Sequence, residues 1–139
     1  MKIYFAASIR GGRQDAETYA KLIEHLKNYG EVLTEHVGDN TLTNLGQDAP
    51  AEVIFQRDYK WVKEADAIVA EVSTPSLGVG YELGKTEEWK KANLCLYNGE
   101  IRRLSPMISG NKFFKTKRYA SLEEANILID EFFTELNTK

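Results

Sequence analysis

Short apolar runs alternate with amphipathic helical stretches along the whole chain, and this alternation constrains the fold more than any other feature. "KIYFAA" (2–7) is too short for a buried helix and runs into Ser8 and a pair of glycines, so it reads as a buried strand. From Arg13 to Tyr29 the apolar positions Tyr19, Leu22, Ile23 and Leu26 recur at helical spacing, and Gly30 supplies a stop. "EVLTEHV" (31–37) predicts a second strand, 38–50 a polar loop, 51–64 a helix, and "DAIVAEVS" (66–73) a third strand. The glycine-bearing stretch that follows feeds a helix to Ala92, and "NLCLYN" (93–98) and "KFFKTKRY" (112–119) are the fourth and fifth strands. Between those two strands the chain is irregular, with room for a short helical turn. The last helix starts at a capping box, Ser121 with Glu124, and carries Leu122, Ala125, Leu128, Ile129, Phe132 and Leu136 on one face.

Strands that are apolar on both faces and separated by helices belong to a parallel sheet covered on both sides. The expected fold class is therefore α/β, a flavodoxin-like three-layer sandwich with a five-stranded parallel sheet in the order 2-1-3-4-5. A length of 139 residues suits one domain with one good core, residues 1–139. Ligands of such sheets bind beyond the carboxyl ends of the strands, where the winding reverses between the first and third strands. That rule selects two loops, "SIRGGR" (8–13) and "TPSLGVG" (74–80).

Both loops have the composition of an anion socket. Ser8, Arg10, Gly11 and Gly12 stand between a strand and a helix, where backbone N–H groups, a hydroxyl and a guanidinium can surround an oxyanion. The same residues also suffice to cap a helix and turn the chain. Ser76 and the amides near Gly78 and Gly80 can serve the same anion. "GVGYELG" misses the dinucleotide fingerprint, because Gly84 falls one residue late and the stretch follows the third strand. No G-x-x-x-x-G-K-[ST] loop is present either, which disfavours nucleoside triphosphate hydrolysis.

Net charge is -3 with a pI near 5.5, which argues against a broad basic face and hence against a nucleic-acid polymer as partner. A lone cysteine, Cys95, rules out an internal disulfide, and with only two histidines a transition-metal site is not expected. No long apolar segment calls for a membrane, so the expected location is the cytoplasm.

Two acids stand out. Asp58 lies on the same helical face as Ile54, Trp61, Val62 and Ala65, where a carboxylate is costly unless paired or used. Arg57 or a backbone amide is a sufficient partner; a catalytic role is the other reading. Glu82 follows the second glycine-bearing loop, where an acid either compensates the helix dipole or serves chemistry. Two carboxylates converging on one pocket are what breaking a glycosidic bond requires.

"YFAASIRGGR", "VLTEHV", "RDYKWVKEADAIVAEVSTPSLGVGYELG" and "LCLY" closely resemble the 2′-deoxynucleoside 5′-phosphate N-hydrolases, relatives of the nucleoside 2-deoxyribosyltransferases. The likeness runs from about residue 2 to residue 109, and departs where Ala7 replaces a glycine before the serine. The resemblance implies a homodimer acting without cofactor on a small nucleotide substrate, releasing free base and 2-deoxyribose 5-phosphate. It implies Glu82 as nucleophile forming a covalent deoxyribosyl-enzyme, Asp58 as acid/base, and Tyr4 as the group orienting Glu82. Ser8, Ile9, Arg10, Gly11, Ser76, Gly78 and Ser105 fall at its 5′-phosphate positions. The alternatives are a deoxyribosyltransferase, a CMP-type ribonucleotide N-glycosidase, and a non-catalytic nucleotide-binding module, with a flavin carrier behind them. His25 is expected at the surface, His36 near the ligand edge, and two of Trp61, Trp89 and Tyr81 in the core.

Overall fold

In a computed structural model of the chain, residues 1–9, 15–34 and 49–139 are described. The strands are β1 (Lys2–Ala7), β2 (Glu31–Val32), β3 (Ala67–Glu71), β4 (Ala92–Tyr97) and β5 (Thr116–Arg118). The helices are α1 (Ala16–Leu26), α2 (Ala51–Glu64), α3 (Leu77–Glu88), the single turn α4 (Pro106–Ser109) and α5 (Leu122–Asn137). Every strand pair is parallel and the order is β2-β1-β3-β4-β5, the arrangement expected from the alternation.

Side-chain alternation along the strands divides the core into two layers. Ile3, Phe5, Val69, Leu94 and Leu96 pack with Tyr19, Leu22 and Leu26 of α1 and Ile129 and Phe133 of α5. Tyr4, Ala6, Ile68, Ala70 and Cys95 face the other way, against Val62 of α2 and Val79 and Leu83 of α3. Burial of the Cys95 thiol pushes its pKa up to about 12, so it behaves as a small apolar side chain.

Among the element ends that differ from expectation, three have a clear local reason. β2 stops after Val32 because the Thr34 hydroxyl takes over the pairing, accepting from Phe5 N at 2.8 Å and donating to Phe5 O at 2.7 Å. β5 begins only at Thr116, because Asn111 holds the preceding amides in a turn: Phe113 N to Asn111 Oδ1 at 2.9 Å and Phe114 N to Asn111 O at 3.1 Å. α3 ends at Glu88, well before Ala92, and Lys90 reverses the chain with a left-handed φ of 53°. The capping box forms in modified shape. Ser121 Oγ accepts from Glu124 N at 3.1 Å, while Glu124 Oε1 reaches back to Ala120 N, one residue before the cap.

His25 is not a free surface group: its Nε2 lies 2.7 Å from Asp130 Oδ1 of α5, which also accepts from the Tyr29 hydroxyl. Trp61 and Trp89 pack at the margin of the α2–α3 layer, whereas Tyr81 is 52% exposed. His36 lies outside the described residues.

Candidate active site

A cavity of about 550 Å³ opens between β1, α2 and α3, within the range of about 300–1,000 Å³ common for small-molecule sites. β1 supplies Tyr4, Ala6 and Ala7 to its wall, α2 supplies Ile54, Asp58 and Val62, and the start of α3 supplies Ser76, Gly78, Val79 and Glu82. Asp58 sits in the middle of α2, below the carboxyl ends of the strands, so the cavity sinks along the sheet instead of resting on its edge.

Glu82 is the sixth residue of α3, and no acid occupies that helix's first turn. Dipole compensation at the helix start therefore does not account for it. Its Oε2 accepts a hydrogen bond from the Tyr4 hydroxyl, across 78 residues of sequence and from the adjacent layer. Burial pushes the Glu82 carboxyl from the ordinary 4.5 up to about 8. A carboxyl so placed is a poorly solvated, and hence reactive, anion once it ionises.

Asp58 is paired with Arg57, one of the two readings open from the sequence, and it also faces the cavity. Its Oδ1 accepts from Arg57 Nε at 2.9 Å and lies 2.9 Å from Arg57 Nη2, yet the residue also lines the cavity with Glu82. Arg57 stacks in turn over Trp61 at 4.8 Å. Two carboxyl groups from different helices thus share one cavity, and one of them bonds a phenol rising from the sheet.

The positions at which the resemblance puts a 5′-phosphate divide. Ile9, Ser76 and Gly78 line the cavity. Ser76 Oγ caps α3 by accepting from Val79 N at 3.3 Å, and a Cβ added at Gly78 would meet only Ser76 Oγ, at 3.8 Å. Among the described residues nothing crowds a side chain at position 78. Ser8 is fully buried just past β1, and its Oγ has no partner among the described residues. Ser105 does not line the cavity; it is exposed and caps α4 by accepting from Met107 N at 3.2 Å. Arg10 and Gly11 lie outside the described residues.

Residues that the sequence reading passed over also line the cavity: Thr34, Phe55, Tyr59 and Lys85. Lys85 had a legible signal, since it stands three residues after Glu82 and so shares its helical face. Its Nζ sits 2.8 Å from Glu88 Oε2 and within 6 Å of the Tyr59 and Tyr81 rings (5.8 and 5.9 Å). Among the described residues no group of His, Cys, Asp and Glu is arranged to hold a metal ion, and no helix is long and apolar enough to cross a membrane.

The comparisons with known proteins show the family and, separately, the fold. A Nematostella vectensis protein with the provisional name 2′-deoxynucleoside 5′-phosphate N-hydrolase 1 is 50% identical over 97% of this chain and 95% of its own. The 5-hydroxymethyl-dUMP N-hydrolase of Danio rerio is 45% identical over 96% of this chain and 97% of its own. The solved structure of a Clostridium botulinum CMP N-glycosidase superposes with a TM-score of 0.71 at 19% identity, covering 95% of this chain and 99% of that one, and so shares the fold. The family model for nucleoside 2-deoxyribosyltransferases matches residues 3–107, a span that holds Tyr4, Asp58 and Glu82, and the chain belongs to that family.

Proposed function

We propose that the protein hydrolyses the N-glycosidic bond of 2′-deoxynucleoside 5′-monophosphates, giving free base and 2-deoxyribose 5-phosphate. The observation that carries this reading is the hydrogen-bonded Tyr4–Glu82 pair in a cavity shared with Asp58 and the amino end of α3. The names of the Nematostella vectensis and Danio rerio relatives support it.

In the proposed reaction the ionised Glu82 attacks C1′ while the C1′–N bond breaks. Its electron pair leaves with the base, which takes a proton from Asp58. The sugar lacks a 2′-hydroxyl and readily takes on oxocarbenium-like character as the base leaves, a positive charge that a neighbouring carboxylate stabilises. Asp58 then removes a proton from water, which attacks C1′ and frees Glu82. Tyr4 holds the Glu82 carboxyl in line by donating to Oε2. The phosphate sits a sugar's width away, on Ser76, the amide side of Gly78, and the β1 loop with Ser8, Ile9, Arg10 and Gly11. There it fixes C1′ over Glu82.

The proposal includes a homodimer. Leu77 (96% exposed) and Tyr81 (52%) present apolar surface at the cavity, and Met107 (79%) is exposed on α4, an arrangement suited to being covered by a second copy. Ser105 lies outside the protomer's own cavity, so a part in phosphate binding requires that second copy. The free buried thiol of Cys95 fits the expected cytoplasmic setting.

The test is incubation with a panel of deoxy- and ribonucleoside 5′-monophosphates and free nucleosides, with released base followed by chromatography. Base is expected from deoxynucleoside monophosphates, and none from the Glu82→Ala variant. Release by that variant at the wild-type rate removes Glu82 as nucleophile, and no release from any monophosphate leaves a binding module.

A further inference from the structure

Glu71 is a buried carboxyl that takes no part in the chemistry above. It closes β3 with 2% of its surface exposed, and alternation sends it to the α1–α5 side of the sheet, opposite the cavity. Three donors converge on it. Its Oε1 accepts from Ser73 N at 2.7 Å, and its Oε2 from Ser73 Oγ at 2.9 Å and from the Tyr119 hydroxyl. Ser73 Oγ accepts in turn from Asn98 N, just beyond β4, at 2.7 Å. Burial pushes the Glu71 carboxyl above its ordinary value, and the Tyr119 and Ser73 donors oppose that shift.

An apolar residue here would pack without the cost of burying a carboxyl. What the carboxyl provides is a fixed position for Ser73, two residues downstream. Ser73 belongs to the turn joining β3 to α3, and Val72 N also bonds Leu96 O at 2.8 Å. Three residues after Ser73 the chain reaches Ser76, which caps α3 and lines the cavity with Gly78. The turn is thus tied to β3 and β4 on the side remote from the ligand, while its far end forms part of the ligand's wall.

We propose that Glu71 and Ser73 are positioning residues for substrate phosphate: they anchor the β3–α3 turn so that Ser76 and Gly78 stand where the 5′-phosphate is received. This deepens the monophosphate hydrolase reading and rests on it. Neither residue touches the substrate, and the anchor acts on phosphate binding, not on the glycosidic bond.

The experiment compares Ser73→Ala, Ser73→Thr and Tyr119→Phe with the wild type. Ser73→Ala removes the hydroxyl that links Glu71 to Asn98. Ser73→Thr keeps a hydroxyl. Tyr119→Phe removes a bond to the same carboxyl but leaves both Ser73 bonds in place. The substrates are the four common deoxynucleoside 5′-monophosphates and 5-hydroxymethyl-dUMP, and calorimetry with 2-deoxyribose 5-phosphate reads phosphate binding without turnover. Ser73→Ala is expected to raise KM about 10-fold, with kcat within about twofold, because a slightly misplaced binding wall weakens substrate capture more than the bond-breaking step. The sugar phosphate should bind correspondingly more weakly, and Ser73→Thr should restore both. Tyr119→Phe should lower Tm while leaving KM near wild type. An unchanged KM in Ser73→Ala, a fall in kcat alone, or an equal rise of KM in Tyr119→Phe overturns the anchor. If the wild type releases no base, the reaction reading fails separately. The anchor then stands if Ser73→Ala weakens sugar-phosphate binding, and falls if binding is unchanged or the wild type binds none.

Discussion

Replacing Glu82 with glutamine removes an ionisable group from the cavity while keeping its shape and an oxygen to accept from Tyr4. Burial raises the Glu82 pKa from 4.5 to about 8. The folded state therefore disfavours the charged carboxylate, and wild-type stability relative to Glu82→Gln is highest below the lower value and falls as pH rises towards the upper. Linkage puts the loss at about 1 kcal/mol near about pH 5 and about 3 kcal/mol near about pH 7. The cavity leaves Glu82 some contact with water, so these are upper figures. Any cost of burying the glutamine amide is independent of pH and cancels in the comparison. Urea unfolding of both proteins at those two pH values, extrapolated to water, reads the effect directly. The variant should gain about 2 kcal/mol on the wild type across the interval. Curves that stay parallel, or a wild type that gains on the variant as pH rises, refute the claim that Glu82 is held in a charge-hostile site.

Two further outcomes follow from the same geometry. Asp58→Asn should slow base release by about 10²–10⁴-fold and remove one limb of the pH–rate profile, whereas an intact bell-shaped profile would leave Asp58 as no more than a partner of Arg57. Phe133 is fully buried on the layer opposite the cavity and stacks on Tyr29 at 4.5 Å. Phe133→Ala should cost about 3–5 kcal/mol in urea melts while KM stays near wild type, and a large change in KM would show the two layers to be coupled.

The legible part of the site is local. Ser76 and Gly78 follow a strand and open a helix, and Asp58 interrupts an apolar helical face. Such features need only a few neighbouring residues to be read. Tyr4 is different: inside an apolar strand a tyrosine reads as core, and it is indeed only 3% exposed. Family likeness proposed a role for it, and what the structure adds is its hydrogen bond to Glu82. Glu71 went unread for the same reason, since in "VAEVS" nothing marks it as the acceptor of a tyrosine 48 residues away. Element ends were misjudged where a side chain replaced backbone pairing, as Thr34 does at β2 and Asn111 before β5.

Periodicity by itself determined the order of strands and helices along the chain and hence a parallel sheet covered by helices, because hydrophobic spacing acts over a handful of residues. The 2-1-3-4-5 winding came from the general rule for such sheets. Tertiary structure alone decided that Tyr4, Asp58 and Glu82 meet in one cavity, that Glu82 is charge-hostile, and that Ser105 stays outside the protomer's cavity. Contact between residues far apart in sequence depends on how the sheet and helix layers stack, and desolvation depends on everything surrounding a group at once.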